Sequence, residues 1–341
     1  MTSQERKRLK MDRNKALAAA VVVIVVSSAA LIALWYPTTL PDVRIGYLEK
    51  DLHQLAFRVA LVNGWYEEAG LTVELKSYGN GGLEMDAFLG DEIDMGYLGA
   101  APALTKRINQ DIMIAILASV NLEGSAIMVR KDDYDSGAIT HIANLTGKSV
   151  YIPGLPTVQA FLLRLALNQS GLSPSDVSLL TSASPAFMAD SLTEDAPAFV
   201  AWEPFNARAE YDNLAVPLVL SGEIWPRHPC CVLASSNPFL INHPDIVQTV
   251  VDIHVRAEEW IVDNPAEAIS IAATWLEMED AVSAVETAFN RIIYDYNVNR
   301  TGIELYLDYL IDQGQLLPYK IPSDLTAFMD GFINTTFVEN T

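Results

Sequence analysis

Residues 44–107 read RIGYLEKDLHQLAFRVALVNGWYEEAGLTVELKSYGNGGLEMDAFLGDEIDMGYLGAAPALTKR, and this stretch decides the fold. Short apolar segments at residues 43–47 and 72–77 predict strands, and helical apolar spacing at residues 54–63 predicts a helix. Polar, glycine-containing turns such as residues 78–82 stand where a strand passes to its helix. The stretch therefore predicts an α/β fold with mostly parallel sheets. Small molecules bind beyond the carboxyl ends of such strands, where helix N-termini present free N–H groups.

The same alternation continues along the chain and starts again after a polar, turn-rich segment at residues 131–141. Predicted strands follow at residues 113–119, 126–130, 149–152, 177–181, 198–201 and 231–235. Predicted helices follow at residues 99–108, 157–169, 186–192, 244–264, 265–276, 280–294 and 302–313. We expect two lobes with a cleft between them. Lobe one would comprise residues 43–127 and 231–341, with a helical C-terminal part, and lobe two residues 128–230.

Length and charge limit the classes of protein to which the chain can belong. The 341 residues suffice for two cores, and the composition is half hydrophobic with 19% charged residues. The net charge is −21, yet residues 1–15 carry a charge of +4, which leaves −25 for the rest. An acidic body of this kind repels phosphate backbones, so we expect no nucleic-acid partner.

Residues 16–36 form an uncharged run, ALAAAVVVIVVSSAALIALWY. As a helix this run spans about 30 Å, the hydrocarbon thickness of a bilayer. We therefore predict a single-pass membrane anchor with residues 1–15 as a basic cytoplasmic segment, residues 37–42 as a tether and an extracytoplasmic body. A cleaved signal peptide is the alternative, but its apolar core is usually shorter than this run.

The chain has two cysteines, Cys230 and Cys231, which are adjacent. This rules out a disulfide framework. His228 stands nearby and suggests a metal, but three donors so close along the chain cannot all face one ion without strain. We therefore expect two buried cysteines that act as small hydrophobic side chains, with neither a metal nor a cofactor.

Seven motifs, in order, resemble the substrate-binding proteins of ABC importers in the nitrate/sulfonate/taurine family, which includes binders of thiamine-pyrimidine precursors. The motifs are IGY (45–47), NGWYEEAGLTVE (63–74), GDEIDMGYLGAAP (90–102), LTGKSVYIPG (145–154), AFVAWEPF (198–205), SNPFLINHPDIVQTVV (236–251) and DNPAEA (263–268). The resemblance implies a two-lobed, type II periplasmic-binding-protein-like fold whose lobes close on a small-molecule ligand. It also implies docking onto a membrane permease, and a binding protein, not an enzyme.

The resemblance places four loops of lobe one at the cleft. His53 and Gln54 would donate to a ligand from the loop after the first strand, or belong to an exposed helix cap. Gly81 permits close backbone approach, or forms an ordinary turn. Gly99 and Ala100 would open a helix with unsatisfied N–H groups. Asn121 follows a buried strand, where a polar residue is also normal for a loop.

Lobe two would contribute four residues. Thr157 is a natural helix N-cap, and the helix that it starts would direct N–H groups, with Gln159, at an anion. Trp202 and Glu203 end a buried strand. Trp202 would stack on a planar ligand or fill the core. Glu203 would repel a bare anion and so favours a ligand with an N–H donor, unless it bonds between the lobes.

The leading hypothesis is a tethered solute receptor for a small organic or oxyanion ligand. It is favoured by cleft loops without a catalytic constellation, since no GxSxG, HExxH or Walker A motif occurs. Import of a thiamine-pyrimidine precursor and a pyrimidine-synthase-like enzyme are the alternatives. Two cysteines stand where fungal pyrimidine synthases of this fold have a longer cysteine run. A sensor that binds a solute is a third hypothesis, and it would need a separate signalling partner, because only the short basic segment precedes the predicted anchor.

Overall fold

Two mixed β-sheets frame the protein in the computed structural model, which describes residues 40–182 and 184–341. In the described part, one sheet has the strand order β11-β4-β10-β3-β1-β2 and the other β7-β6-β8-β5-β9. The strands are β1 (Val43–Leu48), β2 (Val73–Tyr78), β3 (Met95–Gly99), β4 (Ile114–Glu123), β5 (Ser125–Arg130), β6 (Ser149–Ile152), β7 (Ser178–Thr181), β8 (Ala198–Trp202), β9 (Ala215–Leu220), β10 (Pro229–Ser236) and β11 (Ile292–Tyr294).

Helices cover these sheets. In the described residues they are α1 (Leu55–Val62), α2 (Trp65–Glu68), α3 (Gly81–Leu89), α4 (Ala100–Asn109), α5 (Lys131–Asp135), α6 (Val158–Gln169), α7 (Phe205–Tyr211), α8 (Ser221–Ile224), α9 (Asn237–Asn242), α10 (Pro244–Asp263), α11 (Pro265–Leu276), α12 (Val282–Phe289), α13 (Arg300–Asp312), α14 (Leu325–Phe332) and α15 (Thr336–Glu339).

The parallel part of the first sheet is built from the opening stretch. Strand β1 lies between β2 and β3 and is parallel to both, with Ile45 beside Leu75 on one side and Met95 on the other. All residues of β3 are buried, as are all of β4 except the last. Continuous apolar strands of this kind are typical of sheets that are covered on both faces.

The prediction of mostly parallel sheets holds only in part, because both sheets are mixed: of the nine ladders between neighbouring strands of the described residues, four are parallel and five antiparallel. Strand β10 is antiparallel to β3 and β4, and β5 is antiparallel to β8 and β9. The chain leaves the first sheet through β4 and returns to it through β10, so the outgoing and returning strands run in opposite directions. Apolar periodicity indicates burial but carries no information about strand direction.

Two crossings connect the lobes. Gly124, at φ +80°, alone separates β4 in the first sheet from β5 in the second. The chain returns between the end of α8 and the start of β10 at Pro229. The first crossing thus lies a few residues before the boundary expected after residue 127, because residues 125–127 already pair within the second sheet.

Three local expectations differ from the structure. The helix expected at residues 186–192 is replaced by two 3-10 turns, the first capped by Ser184, whose hydroxyl accepts from the Ala186 N–H. The helix expected at residues 280–294 ends at Phe289, since residues 292–294 pair with β4 as β11. Strand β9 was not predicted, because Pro217 interrupts its apolar run; β9 tolerates the proline as an edge strand.

The predicted basic segment and membrane anchor at residues 1–36 lie outside the described residues. Within residues 40–182 and 184–341, no helix has the length and apolar character that a bilayer crossing requires.

Candidate ligand-binding cleft

A cavity of about 20 Å³ lies between the two lobes. It has room for about one water-sized group, so a larger solute requires the lobes to separate. Lobe one and lobe two both contribute to its wall. The lining residues are Leu48, Asp51, His53, Gly81, Gly99, Pro102, Thr157, Val158, Gln159, Trp202, Cys230 and Cys231.

On the lobe-one side, two helices begin at the cavity beyond the ends of β2 and β3. Helix α3 starts at Gly81, and the side chain of its N-cap, Asn80, accepts from the Leu83 N–H. Helix α4 follows its N-cap residue Gly99. A Cβ added at Gly81 would lie 2.8 Å from Pro102 Cγ, so glycine allows these two helix starts to approach.

On the lobe-two side, helix α6 begins at the cavity. The Thr157 hydroxyl accepts from the Ala160 N–H at 3.2 Å and donates to the Gly154 carbonyl at 2.7 Å. Gln159 Nε2 donates to Ser125 Oγ at 3.0 Å. The sequence-based assignment of Thr157 as an N-cap is therefore correct.

Trp202, at the end of β8, lines the cavity and is 3% exposed. Its ring packs edge-on against Phe205, with the ring centroids 6.0 Å apart. Its indole Nε1 is buried and has no hydrogen-bond partner among the described residues. A hydrogen bond from this buried donor to an acceptor of a ligand would therefore stabilise the complex.

His53 and the two cysteines meet at the cavity. His53 Nδ1 lies 3.6 Å from Cys230 Sγ, 3.8 Å from Cys231 Sγ and 3.3 Å from Asp51 Oδ1. His53 Nε2 lies 2.8 Å from the Gly124 carbonyl oxygen. All four side chains, those of His53, Asp51, Cys230 and Cys231, are at most 2% exposed.

An irregularity in β10 brings the two cysteines together. Adjacent residues of a regular strand point to opposite faces. Here the pairing of β10 with β4 shifts register on both sides of Cys231, and Asn121 Oδ1 accepts from the Cys231 N–H at 3.1 Å. A β-bulge of this kind re-aims a side chain, and both sulfurs reach the same histidine nitrogen.

These contacts change the pKa values of the cluster. Burial alone would lower the pKa of His53, but the negative charges of Cys230 and Asp51 raise it to about 9. Burial raises the pKa of Asp51 to about 7, against the effect of the His53 charge. The hydrogen bond from Cys231 lowers the pKa of the Cys230 thiol well below its usual value, and the His53 charge adds to this.

The structure brings six of the ten predicted site residues to the cavity wall, namely His53, Gly81, Gly99, Thr157, Gln159 and Trp202. Ala100, Gln54, Asn121 and Glu203 are buried but do not line it. Gln54 holds the ends of β1 and β3 together, since its Oε1 accepts from the Leu48 N–H and its Nε2 donates to the Tyr97 carbonyl. Asn121 instead holds the bulge of β10.

Glu203 does not face the cavity. Its Oε1 accepts from Arg291 Nη1 at 3.1 Å, and its Oε2 accepts from the Ala207 N–H at 3.0 Å. Burial raises its pKa, while Arg291 acts in the opposite direction. The argument from Glu203 to a ligand with an N–H donor therefore loses its basis, and the inter-lobe alternative describes this residue.

Sequence reasoning missed Asp51, Cys230 and Cys231 as cavity residues. The cysteines are buried as expected, but they contact His53 and not His228, whose Nδ1 lies 3.2 Å from the Pro229 carbonyl oxygen. Since 177 residues separate His53 from Cys230, no local motif could have predicted this contact. Asp51 had a weak signal, since Asp is a preferred N-cap residue and Asp51 caps the 3-10 helix at Leu52–Gln54.

Comparison with solved structures shows the class of fold. The periplasmic nitrate-binding protein NrtA from Synechocystis PCC 6803 matches with a TM-score of 0.76 at 16% identity, over 88% of this chain and 88% of that one. At this identity the likeness shows the fold alone, which is the α/β two-lobed, type II periplasmic-binding-protein fold. The predicted lobed architecture is confirmed.

Sequence comparison shows the family. The model described as "NMT1-like family" matches residues 37–277, and the chain belongs to this family. A putative binding protein of Brucella abortus is 24% identical over 242 residues, 70% of this chain and 73% of that protein. The taurine-binding periplasmic protein of Escherichia coli K12 is 22% identical over 272 residues, 80% of this chain and 77% of that protein. Two predictions are confirmed: the chain belongs to the predicted family of substrate-binding proteins, and its role is that of a binding protein and not of an enzyme.

Proposed function

We propose that this protein is an extracytoplasmic receptor that captures a small oxyanion-bearing solute, such as a sulfonate, taurine or nitrate, and delivers it to an ABC importer permease. The observation that carries the proposal is the convergence of three helix N-termini, those of α3, α4 and α6, on one inter-lobe cavity. The first N–H groups of a helix lack partners within the helix, and its dipole favours negative charge there.

One side chain of the cavity wall supports an oxyanion at this place. Trp202 offers an indole N–H without a partner among the described residues. The lining residues include neither lysine nor arginine, so the anion would be bound mainly by N–H groups. The relatives named for taurine and nitrate support the same ligand class.

Closure of the lobes is part of the proposed mechanism. The cavity is too small for a sulfonate, so a solute would enter an open form and the lobes would then close on it by hinge motion. The crossings at Gly124 and between α8 and β10 are the natural hinges, because few residues connect the lobes there. The closed form would then dock onto the permease.

A thiamine-pyrimidine precursor is the second candidate ligand. Trp202 lines the cavity and offers a ring on which a pyrimidine can stack. Glu203 no longer supports this ligand, since it is paired with Arg291. The oxyanion class therefore leads.

A thermal-shift panel on the purified protein tests the ligand class. Taurine, longer alkanesulfonates, nitrate, bicarbonate and a hydroxymethylpyrimidine are compared at equal concentration. A solute present at 100 times its Kd stabilises the folded state by about 2.7 kcal/mol. A shift with an oxyanion that is reduced in Thr157→Ala and Gln159→Ala supports the proposal. The absence of a shift with every oxyanion would overturn it.

We also propose that residues 16–36 tether the receptor to the membrane beside its transporter, with the body outside the cell. The uncharged run and its basic flank support this. Fractionation of cells that express the full chain, beside a variant without residues 1–36, tests the tether. The full chain is expected in the membrane fraction and the truncated chain in the soluble fraction; recovery of both as soluble protein would contradict the tether.

A further inference from the structure

Three soft or borderline metal donors meet at the floor of the cleft. The ligating atoms of His53, Cys230 and Cys231 all lie within 4.8 Å of one another, in the one such cluster found among residues 40–182 and 184–341. All three side chains line the inter-lobe cavity. The proposed capture of an oxyanion uses the helix N-termini and leaves both sulfurs without a role.

The histidine is held in the orientation of a metal ligand. The Gly124 carbonyl is only an acceptor, so His53 Nε2 carries a proton and donates it at 2.8 Å. In the neutral imidazole this leaves the Nδ1 lone pair directed at the two sulfurs. A backbone carbonyl that fixes the other ring nitrogen is the usual second-shell arrangement for a metal-binding histidine.

The distances fit a metal-centred cluster. A Zn²⁺ ion lies about 2.3 Å from sulfur and about 2.0–2.1 Å from imidazole nitrogen, so tetrahedral ligands place the sulfur and nitrogen about 3.6 Å apart. A trigonal site places them about 3.8 Å apart by the same geometry. The observed separations from His53 Nδ1 are 3.6 Å to Cys230 Sγ and 3.8 Å to Cys231 Sγ.

We propose that His53, Cys230 and Cys231 bind one thiophilic metal ion, Cu⁺ or Zn²⁺, at the floor of the cleft. Two thiolates and an imidazole are the donor set that such ions prefer over Mg²⁺ or Ca²⁺. Three protein ligands leave a coordination position open toward the cavity. The bulge of β10 explains how two adjacent cysteines supply ligands to the same ion.

Metal binding would displace the protons of the ligands to solvent. The thiols bind as thiolates and the imidazole through an unprotonated Nδ1, so binding strengthens as pH rises. Asp51 Oδ1 lies 3.3 Å from His53 Nδ1 and also accepts from the backbone N–H of His53 at 3.0 Å, which fixes the backbone at this residue.

Competition with a chromophoric chelator tests the proposal on the full chain, reduced with a phosphine and freed of metal. Zn²⁺, and separately Cu⁺, are titrated into the wild type and into His53→Gln, Cys230→Ser and Cys231→Ser. One equivalent of at least one ion is expected to bind to the wild type. Each substitution should weaken binding by more than about 100-fold, since losing even a second-shell partner costs about 10–100-fold.

His243→Gln is the matched control, because His243 is exposed and does not belong to the cluster. It should bind metal as the wild type does. Protection of the wild-type cysteines from alkylation by iodoacetamide is a second readout, measured under conditions in which the cysteines of the metal-free protein react, and it needs no variant to fold. One-to-one binding with protection supports the proposal. No binding, binding that persists in Cys230→Ser and Cys231→Ser, or no protection would overturn it.

The metal site and the solute site can each be refuted without affecting the other. A thermal shift with an oxyanion on metal-free protein supports solute capture whatever the metal titration shows. One-to-one metal binding without any oxyanion shift supports the metal site and counts against the oxyanion proposal.

Discussion

Arg291 Nη1 lies 3.1 Å from Glu203 Oε1 and joins the two lobes. Glu203 directly follows β8 of lobe two and is fully buried, whereas Arg291 directly precedes β11 of lobe one. Arg291 Nη2 also lies 2.6 Å from Glu210 Oε2 in α7 of lobe two. One guanidinium therefore pairs with two carboxylates across the lobe boundary.

Removal of this guanidinium is expected to destabilise the protein. In Arg291→Met the Glu203 carboxylate stays buried without its partner, which costs about 3–5 kcal/mol for a buried pair. Urea unfolding at pH 7 measures the loss. The double variant Glu203→Gln with Arg291→Met should recover most of it, since neither charge then remains buried.

Arg208→Met is the control for this pair. Arg208 also pairs across the lobes, with Asp280 at 3.4 Å, but both side chains are more than a third exposed. Exposed pairs contribute less than about 1 kcal/mol. Equal losses in Arg291→Met and Arg208→Met would contradict a special role for the buried pair.

His254 is expected to make the protein acid-sensitive. Burial lowers the pKa of His254 from 6.5 to about 4, while its Nε2 donates to the Ser119 carbonyl at 2.7 Å. The folded state binds fewer protons than the unfolded state, so this contribution is complete above pH 6.5 and is lost as pH falls toward 4. Between pH 7.5 and pH 5 the loss is about 2 kcal/mol.

The measurement compares urea unfolding at the two pH values in the wild type and in His254→Gln. The buried carboxyls, such as Glu258 at 3.9 Å from His254 Nε2, contribute to both proteins and largely cancel in the difference. His243→Gln, at an exposed position, should keep the wild-type pH dependence. An unchanged pH dependence in His254→Gln would contradict the assignment.

The indole N–H of Trp202 is expected to strengthen solute binding. Trp202→Phe removes this donor and keeps an aromatic ring at the cavity wall. A neutral hydrogen bond contributes about 0.5–1.5 kcal/mol, so affinity should fall about 2–13-fold. Isothermal titration with the solute identified by the thermal-shift panel measures the change.

Trp260→Phe serves as the control, because Trp260 lies in α10 and does not line the cavity. It should bind the solute as the wild type does. If Trp202→Phe also retained full affinity, the indole N–H would have no part in binding.

Two glycines are expected to respond in opposite directions to alanine. Gly81→Ala places a Cβ 2.8 Å from Pro102 Cγ, so the starts of α3 and α4 must move apart and stability should fall. Gly331→Ala, within α14, meets no atom within 4 Å. It should raise the free energy of unfolding by about 0.5–1 kcal/mol, because alanine loses less backbone entropy in a helix.

The midpoints of urea unfolding distinguish the two variants. A midpoint for Gly81→Ala at or above the wild-type value would show that Pro102 can yield without cost. In that case glycine would not be required for the approach of α3 to α4.

The sequence by itself determined most of the elements and several cavity residues. The strand at residues 149–152 and the helix at residues 265–276 have the predicted bounds, and Thr157 is the predicted N-cap. These are local properties, since apolar spacing and capping side chains act within a few residues. The order of the motifs also predicted the family that residues 37–277 match.

Only the tertiary structure decided which residues meet. The directions of β5 and β10, the pairing of Arg291 with Glu203 and the contact of His53 with both cysteines all join segments distant in the chain. Such contacts depend on how the two lobes pack against each other and on the bulge beside Cys231. The apolar periodicity of the sequence does not indicate them. The chemistry of the cleft floor therefore became visible only in three dimensions.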